Sequence, residues 1–564
     1  MTEAVAITQQ LRDGLDVETV LCHIETGDVL LQLHLKPETK YRFSIPFGSD
    51  IPIYLQRSDN PYLQSMLYST ESSTLGARQH DGSHINERET PQYFKPYHAA
   101  TVLDPRLDSI KPSTWTTVSN DDKLMKSLLH DYFLHEYEWL PFFHKDHFLD
   151  DMLSGAKNFC SSLLVNSVLA VSCHCSATLP YRDKFWDTQT LGNRYFEEAK
   201  RLWELEKSVT PSLPTLQAAL VMGNLLNMCS LDKLGRTYNV QALAMANELD
   251  MFVPLAQQTS PRRRDSYAFT AWSLFFSSCI QDYHTLRPPL CENCPQTPLP
   301  DPEEDPAWYG SFWVIYPLAD APLLVQHGPL FKAKMELAMI MNSISAAFFG
   351  KETEVNRRTQ LRLASGFTEK LTAWRLSLPA SLSPARIVFP SQLKLHIVVH
   401  LSQQSADMSH DILVQKATNS NLCFETLMRL YYLRHGFEGC DAYLTHTLAV
   451  LAFAALNRLK SSVSSLSTME VDDIRGTLIL SAKGLNDQGK NYHLPRTIFH
   501  ILHAEMMPED ESITTRTTSV RLEDELDTDL RMEYIQAQYP INITNITESP
   551  ENMRLSNIIE KIWK

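Results

Sequence analysis

The feature that most constrains this chain is an unbroken succession of helical periods from Asp121 to Met507. KLMKSLLHDYFLHEYEWL places Leu124, Leu128, Tyr132, Phe133 and Tyr137 on one face. SSLLVNSVLAVSCHCSA, LGNRYFEEAKRLWELE, LPTLQAALVMGNLLNMC, GRTYNVQALAMANELDMF and SYAFTAWSLFFSSCIQDY continue the pattern. Apolar spacings of three and four mark helices with a broad apolar face. Several segments are apolar nearly all round, so they belong inside a stack of helices rather than on a sheet. Alternating strand patterns are almost absent. A second block, from about Lys332 to Met507, has the same texture around a Pro-marked bend between Pro379 and Pro390. The expected fold is all-α: a multi-helix, superhelical, two-lobed body with a short N-terminal extension and an acidic C-terminal tail.

Two lobes are expected because 564 residues exceed the roughly 250–300 that one core serves. Residues 1–70 read as the N-terminal extension and 71–115 as a linker. Residues 116–345 read as the first helical lobe and 346–507 as the second. Residues 508–564 read as an acidic, partly disordered tail, in which the leucines are isolated among polar residues.

Charge then narrows the function classes. Lys and Arg number 51 against 66 Asp and Glu, a net charge of −15. Neutralising phosphates needs clustered cations, so a basic nucleic-acid-binding body is excluded by composition. Arg262, Arg263 and Arg264 are followed at once by Asp265 and read as a solvated helix start. The opening MTEAVAITQQ has no basic and apolar leader pattern, so the ten cysteines are expected as free thiols of a reducing compartment. The longest greasy run, Thr447 to Leu456, falls short of the ~20 residues of a membrane span. No membrane partner is expected.

The candidate chemical motifs are incomplete. Cys291-Glu-Asn-Cys294 is a lone Cys-x-x-Cys, whereas structural zinc takes four ligands and usually two such pairs. Cys173-His174-Cys175 lies inside a helical pattern and reads as core thiols. His144 and His147 flank Asp146 and read as structural or surface histidines; His135-Glu136 is followed by Tyr137, Glu138 and Trp139, so no zinc-peptidase motif forms. GLNDQGKN, Gly484 to Asn491, spells most of a phosphate loop. It lacks the hydroxyl residue after Lys490 and any βαβ context. The chain is therefore expected to be no enzyme, with no catalytic residue, metal ligand or cofactor of its own.

Several segments, in order, carry a more specific signal. YHAATVLDPRLDSIKPSTWTTVSNDDKLMKSLLHDYFLHEYEWLPFFHKDHFLDDM is followed by FCSSLLVNSVLAVSCHCSA and by PSLPTLQAALVM, with Gln217. GRTYNVQALAMANELDMF has Tyr238 and Asp250 at two telling places, and KGLNDQGKNYHLPRTIFHIL comes late. Between them lie Arg262, Arg263, Arg264, Trp272, Phe275, Asp282, Arg287, Pro288, Leu299 and Pro300. Together these segments resemble the fungal-specific transcription factor domain, the middle homology region of the zinc binuclear cluster (Zn2Cys6) regulators. In that family Trp is common where Tyr238 stands, and Gly is common where Asp250 and Leu286 stand. The resemblance implies that Arg262, Arg263, Arg264, Trp272, Asp282, Arg287 and Pro288 form a structural signature. It also implies that Cys291 and Cys294 lie in a structural turn.

Family members carry an N-terminal Cys-x2-Cys-x6-Cys cluster, repeated, that holds two zinc ions. Only Cys22 precedes Cys160 here, so direct DNA binding is not expected of the chain as written. Zinc enters as a cofactor only if an upstream cluster belongs to the protein. A start placed too late, a gene without the module and a decaying copy are the three explanations left open. The resemblance implies a nuclear transcription regulator of a metabolic or biosynthetic gene set, secondary metabolism included. The alternative is a stand-alone interaction protein or co-regulator that acts through a partner. The expected partners are the transcription machinery or another regulator, a homo- or heterodimer mate, and a small-molecule effector. In the acidic tail, Leu522, Leu526 and Leu530 are the candidate activation segment.

Overall fold

The computed structural model describes residues 51–65, 96–207, 211–316, 321–349, 357–406, 411–462, 467–508, 510–511, 514, 536–538 and 554–557. In chain order the helices are α1 (Pro105–Ser109), α2 (Asp122–Tyr132), α3 (Lys145–Ser154), α4 (Ser162–Cys175), α5 (Leu191–Glu206), α6 (Leu213–Met228), α7 (Asp232–Glu248) and α8 (Pro261–His284). After α9 (Pro306–Tyr309) come α10 (His327–Phe349), α11 (Arg357–Ser377), α12 (Pro390–Ala406), α13 (Asp411–His435), α14 (Ala442–Ser462), α15 (Thr468–Gln488) and α16 (His493–Glu505). The body is predominantly helical, as the periodicity requires.

Local chemistry starts these helices where they start. Asp121, Ser161, Ser212 and Ser260 each accept a backbone N–H of the first turn of α2, α4, α6 and α8, which satisfies one of the orphan donors there. Pro261 follows Ser260 at the first helical position, where its missing N–H costs nothing. Ser467 and Glu470 close a capping box at the head of α15. Neighbouring helices then pack in pairs: α4 with α5, α6 with α7, α12 with α13, and α14 with α15.

The buried apolar residues divide into two main clusters. The first runs from Tyr97 to Val399 and takes in Cys440 and Tyr492. The second runs from Ile387 to Met506 and takes in Tyr62, Ala537 and Leu555. Helix α12 is the wall between them. Its Leu395, Val398 and Val399 face the first core, and its Leu393, Ile397 and Leu401 the second.

Two expected boundaries change. The lobe boundary falls at α12 rather than at 345/346, because Phe367, Leu371 and Trp374 of α11 are buried in the first core. The part of the expected linker that is described, 96–115, is folded, and it buries Tyr97, Val102, Leu107, Ile110 and Trp115. It also supplies β1 (Thr101–Val102), which pairs antiparallel with β2 (Trp313–Ile315), itself paired antiparallel with β3 (Leu323–Leu324). These strands are two or three residues long, too short to show an alternation in sequence.

The described pieces of both ends dock on the body. Tyr62, opened by the Asn60 cap, is buried against α12, with its hydroxyl 3.0 Å from His396 Nδ1 and 2.7 Å from His400 Nε2. Tyr54 Oη donates to Glu425 Oε1 at 2.5 Å. Near the other end, Gln538 N donates to Asp232 Oδ2 at the head of α7 (2.6 Å). No helix among the described residues is long and apolar enough to cross a membrane.

Candidate functional site

A cavity of about 110 Å³ lies where the two cores meet. One ordered water needs about 10–15 Å³ on the same measure, so the space suits a compact molecule of several heavy atoms.

Its first wall comes from a π-helical turn, Phe133–Tyr137, that continues α2. Such widened turns recur at functional sites because they re-aim side chains. Here His135, Glu136 and the following Trp139 line the cavity. From α6 and α7 come Asn224, Asn227 and Asn239; from α8, Ser277, Gln281 and His284. Helix α12 contributes Lys394, the segment from Asp441 into α14 contributes Asp441, Tyr443 and His446, and the residue before α16 is Tyr492. Apolar area is supplied by Leu220, Ile280 and Ile498.

The polar groups are largely tied to one another. Asn239 Nδ2 donates to Gln281 Oε1 at 2.7 Å. Lys394 Nζ and Asp441 Oδ2 form a buried ion pair at 2.9 Å, and Lys394 also lies 5.1 Å from the centre of the Trp139 ring. Asn227 Oδ1 is buried without a hydrogen-bond partner. His284 Nε2 is 3.1 Å from Tyr443 Oη, and the His284 and His446 rings are 4.3 Å apart.

Burial controls the charge of these groups. It pushes the Glu136 carboxyl up to about 7, with Asp441 adding to the rise and Lys394 opposing it. It lowers His446 to about 4 and holds His284 well below the usual imidazole range. Both imidazoles are thus neutral at pH 7. The cavity offers amide, imidazole and hydroxyl groups around one ion pair, between aromatic and aliphatic walls. Such a set has the chemistry to orient a small polar molecule by hydrogen bonds.

The signature residues frame this cavity rather than line it. Arg262 reaches back to α3, donating to His147 O at 3.3 Å and to Asp150 Oδ2 at 3.1 Å. Arg263 donates to Tyr267 Oη (2.9 Å) and Arg264 to Gln257 O (3.2 Å). Trp272 Nε1 donates to Thr297 O at 2.9 Å. Asp282 is buried, pairs with Arg236 and accepts Leu290 N at 2.6 Å, so it clasps the turn that carries Arg287 and Pro288. Arg287 donates to Gln538 Oε1 at 3.2 Å. Leu522, Leu526 and Leu530 lie outside the described residues.

The weaker motifs resolve as packing. Residues Gly484 to Gln488 of the phosphate-loop look-alike are the last turn of α15, and Asn491 accepts from Arg182 at 2.7 Å. His144 and His147 stack at 4.0 Å, with His147 Nδ1 2.6 Å from Ser266 Oγ. Cys291 is buried, and burial pushes its thiol up to about 12. Sequence reading missed Glu136, Lys394 and Asp441. The available signal was a charge set in an apolar run, as in FLHEYEW and QLKLHIVVHL.

The family profile described as the fungal specific transcription factor domain matches residues 129–376. The match covers less than half of the chain. The matched segment includes α8 with its signature and the π-helical wall of the cavity, whereas Lys394, Asp441, His446 and Tyr492 lie beyond it. The chain is 26% identical over 359 residues to the nitrogen assimilation transcription factor nirA of Emericella nidulans, 59% of this chain and 40% of the relative. It is 26% identical over 310 residues to the nitrogen assimilation transcription factor nit-4 of Neurospora crassa, 51% of this chain and 28% of the relative. It is 27% identical over 334 residues to the notoamide biosynthesis transcriptional activator notL' of Aspergillus versicolor, 56% of this chain and 52% of the relative. The matches thus span about half or less of each relative's length. No solved structure matches the chain.

Proposed function

We propose that this chain is the regulatory body of a nuclear fungal transcription regulator that governs a metabolic or biosynthetic gene set. In this reading the cavity between the two cores is its effector site, and the segment around Leu522, Leu526 and Leu530 is its activating surface. The similarity to nirA, nit-4 and notL' supports the class. The observation that carries the mechanism is that both cores build one cavity. A molecule that binds one arrangement of the cores better than another shifts the balance between them. The partners in this reading are the transcription machinery and a mate that delivers the body to promoters.

The test tethers the full chain to an unrelated DNA-binding module above a reporter in a filamentous fungus. Reporter output is then measured across a panel of nitrogen and carbon sources. Source-dependent output is expected from the native chain, and source-independent output from His446→Trp, which fills the cavity. Output equal to that of the module alone on every source sinks the reading.

A further inference from the structure

Beside the cavity, four side chains from distant parts of the chain meet in a closed set. Cys175 is the last residue of α4, Glu136 sits on the π-helical turn, Cys440 precedes α14 and Tyr492 precedes α16. Cys440 Sγ lies 3.3 Å from Cys175 Sγ, 3.9 Å from Glu136 Oε1 and 2.6 Å from Tyr492 Oη. The Tyr492 hydroxyl donates to Glu136 Oε1 at 3.0 Å. One donor atom from each of Glu136, Cys175 and Cys440 lies within 4.8 Å of the other two, and all three residues are buried.

Tetrahedral zinc takes sulfur at about 2.3 Å and oxygen at about 2.0–2.2 Å, so its donors stand about 3.8 Å apart for two sulfurs and about 3.6 Å for sulfur and oxygen. The observed 3.3 Å and 3.9 Å separations straddle those edges. The remaining separation, Glu136 to Cys175, is within 4.8 Å, so closing the set by about an ångström puts a common centre at bonding distance from all three. Packing alone would fill such a junction with apolar groups, since each buried acidic group carries a desolvation cost. Here two thiols, a carboxyl and a phenol converge.

We propose that Cys175, Cys440 and Glu136 form a binding site for one thiophilic divalent cation of the zinc type, with the fourth position facing Tyr492. Two thiolates and one carboxylate select a borderline-soft ion over magnesium or calcium. The two thiol protons leave as the ion enters. Glu136 and Tyr492 also line the cavity between the cores, and Cys440 lines a second one beside it. Lys394 and Arg182 act electrostatically on the cluster and offset the negative charge of a three-anion donor set. Bound there, the ion links α4 and the π-helical turn to the segment that opens α14.

The test uses the full chain, stripped with a chelator and kept reduced, and titrates it with Co²⁺. The expected result is one tightly bound Co²⁺ per chain, with a thiolate-to-cobalt charge-transfer band and the visible absorption of a tetrahedral site, both bleached by Zn²⁺. Cys175→Ser with Cys440→Ser should abolish the band while leaving the metal-free circular dichroism intact. Cys440→Ala is the second probe if the double variant folds poorly. Glu136→Gln should weaken binding by about tenfold or more. Absence of a stoichiometric thiolate band overturns the proposal. So does the same spectrum from both cysteine variants and the native chain, which would place the ion elsewhere. A peroxide-formed Cys175–Cys440 disulfide in a chain that takes up no Co²⁺ overturns it too, in favour of a redox pair.

Discussion

Gly223 of α6 and Gly235 of α7 pack backbone to backbone: a Cβ on Gly235 would lie 2.6 Å from the Gly223 carbonyl oxygen, and one on Gly223 would lie 3.0 Å from that of Gly235. The same crossing brings Asn227 and Asn239 to the cavity, and each amide oxygen sits against the opposite glycine. Gly235→Ala therefore forces the two helices apart. The expected loss is about 1–3 kcal/mol, the usual cost of overpacking a tight contact. Urea unfolding measures it, and a loss within error of zero would show that the helices separate freely.

Asp250 and Leu286 both hold left-handed backbone, with φ of 52° and 53°. These are the two places where the related family commonly has Gly, so the turns keep the glycine conformation without the glycine. Asp tolerates that region better than Leu does, and a left-handed non-glycine residue costs roughly 1–2 kcal/mol. Asp250 is exposed, so Asp250→Gly should raise stability by up to about 1 kcal/mol, while Asp250→Val lowers it by at least as much. Thermal melts of the two variants should move in opposite directions. A shift in the same direction rules out backbone strain as the cause.

Much of the fold was legible because helix periods survive in sequence without knowledge of partners. The α8 pattern is an example: its Ser260-Pro261 start, its apolar length and its Arg287-Pro288 stop are all local. The cavity was not legible. Glu136, Gln281, Lys394, Asp441 and Tyr492 acquire their roles only when α8, α12 and the segments before α14 and α16 converge. Cys175 read as a core thiol for the same reason, since Cys440 stands 265 residues away. The lobe boundary was misplaced because α12 is apolar on both faces, and no single periodicity says which core each face serves.

Lys394 and Asp441 are a buried ion pair with further hydrogen bonds, Tyr431 Oη donating to Asp441 Oδ2 at 3.0 Å. Removing one partner strands the other charge. Lys394→Met should cost about 3–5 kcal/mol. Lys394→Met with Asp441→Asn should recover a large part of that loss, because no unpaired charge remains. A double-mutant cycle by urea unfolding measures the coupling, and additive losses would show that the two charges do not stabilise each other.

His446 and His284 make the body sensitive to acid. Burial lowers His446 to about 4 and holds His284 well below its ordinary value of 6.5. Between about pH 6.5 and 4 the unfolded chain takes up protons that these folded imidazoles refuse. Stability is therefore full above about pH 6.5 and falls as the pH drops towards 4. For His446 alone the fall is up to about 3 kcal/mol. The native chain should thus lose more stability than His446→Gln when urea unfolding at pH 7.5 is repeated at pH 4.5. Equal losses in the two proteins would mean that His446 is protonated in the folded state, and that the cavity is wetter than its burial implies.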